Sequence, residues 1–133
     1  MPARGPASLR PLVMALHWTA ILTIAAWLFG RLPGWGLAAH AGLWAAVSLI
    51  WGLRGGPSPA LPAPWRRAAH VGHAALLALY LTGAVGAALG WDVARPLLLA
   101  TLVLGSLHGV FNLWRASVLG DGALRRMTPR AMW

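Results

Sequence analysis

Five histidines, His17, His40, His70, His73 and His108, stand in a chain whose only acids are Asp92 and Asp121 and which has no cysteine. The segments around them are apolar. "MALHWTAILTIAAWLFG", residues 14 to 30, has no charged side chain at all. An imidazole in such surroundings loses its water and needs a partner inside the protein. The missing cysteines exclude disulfides, thiolate metal sites and a cysteine nucleophile. What is left is chemistry that imidazoles do alone: ligating a metal or cofactor, or hydrogen-bonding a bound molecule.

Spacing separates the five. His17 lies seven residues after Arg10 and His108 seven before Arg115, so at a rise of 1.5 Å per residue each is about 10 Å inside the same boundary. Two imidazoles at one depth on antiparallel helices meet the need of the two axial positions of a haem iron. Around His108 the chain reads "LGSLHGVFN", with Gly105 at i−3 and Gly109 at i+1. Small residues there leave room for a flat macrocycle, and they equally match the small-xxx-small pattern of close helix contact. His70 and His73, at i and i+3, share a helix face close to Arg67. No carboxylate or thiolate lies near enough to complete a zinc site with them. Their open roles are contact with a haem propionate or a quinone, interfacial anchoring, or iron ligation by His73. His40 sits roughly 20 Å from Arg54, at the opposite end of the spans. A second haem there has no other histidine or methionine at its level.

The elements that position these residues are dictated by composition. Of the 133 residues 59% are hydrophobic and only 10% charged, well below the quarter or so that a water-exposed domain carries. Four apolar stretches, 11–30, 37–53, 68–90 and 97–114, approach the roughly 20 residues that span a bilayer core of about 30 Å. None alternates as a barrel strand does. The first is too long for a cleaved signal sequence and reads as a retained helix. The fold expected is an all-α, membrane-embedded four-helix bundle forming one domain over residues 1–133. All eleven basic residues are arginines. Arg4, Arg10, Arg54, Arg66, Arg67, Arg115, Arg125, Arg126 and Arg130 fall on one side of the spans, and only Arg31 and Arg95 on the other. The positive-inside rule then makes both termini cytoplasmic, with short outer loops at 31–36 and 91–96. Arginines dispersed between spans are topology determinants rather than a nucleic-acid surface. The proline-rich "RGGPSPALPAPWRR", residues 54–67, reads as an extended connector, and the glycine-flanked Asp121 as a stop after the fourth helix.

In type and order these residues resemble the bacterial cytochrome b561 family, four-helix haem b proteins of the inner membrane. "ALHW" opens the first helix and "HAGLW" lies in the second. The loop "PSPALPAPWRRAAHVGHAALLALY" runs into the third, and "LHGVFNLWRASVLGDGALRRM" closes the chain. The resemblance implies that His17 and His108 ligate one haem and that His40 matches the helix-two ligand of a second. The family's other ligand to that second haem stands fourteen residues before the later helix-four histidine, a position that is Ala94 here. The resemblance further implies electron exchange between quinols, or superoxide, and a partner redox carrier. The expected function is therefore a membrane cytochrome b with a bis-histidine haem, partnered by lipid, quinone and a second redox subunit. The alternative is a haem-poor anchor or assembly subunit of a larger membrane complex. A transporter relay is disfavoured because no span holds a carboxylate.

Overall fold

The computed structural model describes residues 10–51 and 60–128. The chain forms α1 (Arg10–Leu28), α2 (Gly34–Trp51), α3 (Ala63–Leu89) and α4 (Ala94–Trp114). A π-helical turn, Arg115–Leu119, extends α4, and a short α5 (Ala123–Met127) follows. Among the described residues there is no strand. Three helices, over Pro11–Leu28, Ala63–Leu89 and Ala94–Leu119, are long and apolar enough to cross a membrane, and Gly34–Ile50 is a shorter apolar helix. Their backbone bonds are closed within each helix, the condition for a segment surrounded by hydrocarbon.

The helix boundaries follow local chemistry. Gly30 and Gly90 adopt positive φ at the ends of α1 and α3, a conformation that glycine takes without steric cost. After Gly90 the Trp91 N–H returns to the Gly86 carbonyl at 2.8 Å, closing the turn. The connector read as extended over 54–67 is instead helical from Ala63. Pro64 stands in the first turn of α3, where a backbone N–H would have no partner, so it starts the helix rather than breaking it. Pro96 is accommodated in the same way in the first turn of α4, which shortens the loop expected at 91–96. Arg4, Arg54 and Arg130 lie outside the described residues. Arg31 and Arg95 are exposed at the end where α1 runs into α2 and α3 into α4.

Packing is sequential: α2 lies against α3, α3 against α4 and α1 against α2, whereas α1 and α4 scarcely meet. The buried core joins Ala20 and Ile24 of α1, Leu37 and Ala41 of α2, Tyr80 and Ala84 of α3, and Leu98 of α4. It therefore occupies the end of the bundle where α1 finishes and α2 begins. Glycines allow the close approach there. A Cβ on Gly34 would strike the Ala87 carbonyl and come within 2.8 Å of the Ala88 nitrogen, and one on Gly83 would come within 3.0 Å of Leu98. Gly34→Ala is expected to destabilise the fold by about 1–3 kcal/mol, because rigid backbone must move to admit the methyl. Thermal unfolding in detergent checks this, with Gly42→Ala, whose Cβ meets nothing within 4 Å, as the tolerated control.

Candidate functional site

At the other end of the bundle the gap between α1 and α4 is a cleft of about 350 Å³, backed by α3. That volume lies at the small end of the range for ligand pockets. Its walls are mostly apolar, with Ile21, Ile24, Leu76, Leu77 and Leu102 among them. His17, His73, His108, Asn112 and Arg115 bring polar atoms, and Tyr80, Thr101, Ser106 and Thr128 line it too. Gly105 and Gly109 line it as well, and a Cβ on either would meet nothing within 4 Å. Those two glycines face open space, so they do not serve close helix contact.

The His17 and His108 rings both line the cleft, with centroids 6.4 Å apart and planes at 64°, edge to face. Two imidazoles on opposite sides of one metal ion have ring centres about 6 Å apart, from bonds of about 2 Å and roughly 1 Å from each nitrogen to its ring centre. The pair therefore fits the spacing of two axial ligands. His17 packs edge-on to Trp18 and Trp44, at 5.7 and 5.6 Å between centroids. Among the described residues its ring makes no hydrogen bond. His108 accepts one: the Asn112 amide nitrogen lies 2.7 Å from its Nε2.

His73 lies closer to His108, with centroids 4.4 Å apart, too short for ligands on opposite faces of one metal. Its Nδ1 donates to the Ala69 carbonyl at 2.8 Å, which fixes the ring and leaves Nε2 as an acceptor. His70, one turn earlier, is exposed and does not line the cleft. Among the described residues no group of three or more His, Cys, Asp or Glu side chains could hold a metal ion. What the cleft offers is one pair of imidazoles with a third beside it.

His40 is engaged elsewhere. Its Nε2 lies 2.8 Å from the Thr19 hydroxyl and its Nδ1 2.9 Å from the Tyr80 hydroxyl, which in turn meets Thr23 at 3.0 Å. A neutral His40 donates from one ring nitrogen and accepts at the other, and the Thr19 and Thr23 hydroxyls each divide one proton between this chain and the Ala15 or Ala20 carbonyl, at 2.6 and 2.9 Å. Both ring nitrogens are thus occupied by bonds that join α1, α2 and α3. Ala94 is buried beside Gly86.

Two further residues escaped the reading of the sequence. Arg115, taken there as a topology determinant, is only 1% exposed and pairs with Asp121, its Nε and Nη2 lying 2.8 and 2.6 Å from Oδ2. Asp121 also accepts the Ala123 N–H at 2.9 Å, which gives the first N–H of α5 a partner. The signal was present: in a chain with two acids, an aspartate six residues after an arginine at the end of an apolar helix is a candidate partner. No family model, characterised protein or solved structure matches this chain.

The two polar clusters respond differently to substitution. Asp121→Ala leaves a buried guanidinium without its counter-charge and is expected to cost about 3–5 kcal/mol. Tyr80→Phe removes hydrogen bonds to His40 and Thr23 while keeping the ring, and is expected to cost about 1–3 kcal/mol. Chemical denaturation in detergent micelles measures both, and a smaller loss for Asp121→Ala than for Tyr80→Phe would contradict the ranking.

Proposed function

We propose that this chain is a membrane cytochrome b whose cleft would hold one haem b through His17 and His108. The observation that carries the reading is the pair of imidazoles from α1 and α4, 6.4 Å apart beside two glycines that leave the cleft open. A haem bound there supplies reversible one-electron chemistry, with a potential that depends on axial ligands and burial. The work of the protein is to hold, orient and exclude. Trp18 and Trp44 pack edge-on against His17 and limit its rotation. Asn112 and Arg115 orient His108 from the end of α4. Leucines and isoleucines on the remaining walls keep water out.

The engagement of both His40 nitrogens, together with the buried alanine at position 94, supports one haem rather than two. Electron exchange would then occur at the cleft, with the quinone/quinol pool or superoxide on one side of the reaction and a partner redox carrier on the other. His73 bears on the first of these. With Nδ1 donating to Ala69, its Nε2 accepts, which suits a quinol hydroxyl better than a quinone carbonyl or a haem propionate. The reading places the chain in a bacterial inner membrane with both termini cytoplasmic, on the strength of the arginine distribution. The second reading, a haem-poor anchor or assembly subunit, draws support from the Asn112 contact that fills the ligating position of His108.

Haem content separates the two. Purified protein is expected to bind one haem b per chain by pyridine haemochrome assay against protein mass, with a low-spin spectrum in both oxidation states. His17→Ala or His108→Ala should abolish the low-spin species, and His40→Ala should retain it. A full bis-histidine spectrum in both of the first two variants would refute the ligand pair, and absence of haem from the wild type would favour the anchor reading.

A further inference from the structure

Asn112 stands one turn after His108 on α4, its amide held between two groups of opposite demand. Its Nδ2 lies 2.7 Å from His108 Nε2, and its Oδ1 lies 3.3 Å from Arg115 Nη1. A guanidinium has only donors and a carboxylate only acceptors. Arg115 is anchored by Asp121: its Nε–H donates to Oδ2 at 2.8 Å, its Nη2 lies 2.6 Å from the same oxygen as an ion-pair contact without a hydrogen bond, and Oδ1 accepts the Ala123 N–H at 2.9 Å. The side chains of this ion pair are 2% and 0% exposed, so its direction is not averaged by solvent.

The polarity of each link fixes the next. Because Arg115 can only donate, the Asn112 atom facing it is the carbonyl oxygen. The amide NH₂ therefore faces His108, and the imidazole nitrogen that meets it must present a lone pair. Arg115, held in place by Asp121, thus selects the His108 tautomer, with the proton on Nδ1 and Nε2 free of hydrogen. A metal binds only an unprotonated imidazole nitrogen.

We propose that Asn112 is a positioning residue for His108: the relay Asp121–Arg115–Asn112 keeps Nε2 unprotonated and occupies its lone pair until a haem iron takes it. The inference rests on the haem reading above. Two opposed effects follow. A ring already in the ligating tautomer needs no proton moved when the cofactor enters. The Asn112 N–H must, however, be displaced, and one neutral hydrogen bond lowers affinity by about fivefold. Asn112 thereby acts both as a guide for the ligand and as a weak competitor for it.

The first test needs no haem. Protein labelled with ¹⁵N-histidine, free of haem and reconstituted in lipid nanodiscs, reports the protonation of each ring nitrogen, with His108 assigned by comparison with His108→Ala. The expected wild-type signature is protonated Nδ1 and unprotonated Nε2. Asn112→Asp presents only acceptors, so the proton is expected on Nε2, and hemin binding should weaken by about tenfold or more. Asn112→Leu has similar volume but no polar atom. It is expected to populate both tautomers and to bind hemin within about tenfold of the wild type, in either direction. Both variants are compared at matched helicity and monodispersity, and Asn112→Leu carries the test alone if Asn112→Asp does not fold. A wild-type ring protonated at Nε2, or an Asn112→Leu ring with an unchanged tautomer, overturns the inference. If the tautomers behave as expected while the wild type fails to bind hemin, the haem reading fails, and with it the haem-positioning role, while the control of the His108 tautomer by Asn112 stands.

Discussion

A polar side chain within an apolar helix has no water to fall back on, so its partners must come from the protein or from something the protein binds. Three cleft histidines and His40 meet this constraint to different degrees. His40 is satisfied at both nitrogens by Thr19 and Tyr80. His73 is bonded at one nitrogen by its own helix, and His108 at one by Asn112. His17 has no hydrogen bond among the described residues and lines the cleft. The unmet capacity is thus gathered in a single cavity, which is the physical reason for seeking a ligand there and not around His40.

Glycines divide along the same axis. Gly34, Gly83 and Gly86 sit where a side chain would collide with the neighbouring helix or with Trp91, and they let α2, α3 and α4 close on one another. Gly105 and Gly109 meet nothing, although they belong to a helix of similar composition. Identical residues serve contact at one end and vacancy at the other. The difference lies in the neighbour: α4 packs on α3 along one side and faces the α1 gap along the other.

Much of this arrangement was legible in the chain because it depends on rise and period. Counting residues from the flanking arginines placed His17 and His108 at one level, and the structure brings their rings to 6.4 Å. Pairings that skip between helices were not legible. Thr19 lies 21 residues before His40, and Tyr80 lies 40 after it, separations that no helical period encodes. Arg115 was obscured for another reason. An arginine at the end of an apolar run has a ready explanation in membrane topology, and only its burial against Asp121 shows that it also organises the cleft. Proline misled at the start of α3, where the rule for helix interiors does not apply to the first turn.

The division between the two ends also bears on how the protein would tolerate gaining or losing a bound group. The core that joins all four helices lies beside the α1–α2 connection, and the His40 bonds tie three of those helices together at its margin. Ala20, Ile24 and Tyr80 belong to this core and also line the cleft, so the packed end forms the inner edge of the site. At the opposite end, α1 and α4 scarcely meet, and the nearest reinforcement is the Arg115–Asp121 pair beside α5. Local stability within a protein follows local packing, so the cleft end is the part free to adjust around an occupant while the other keeps the helices in register.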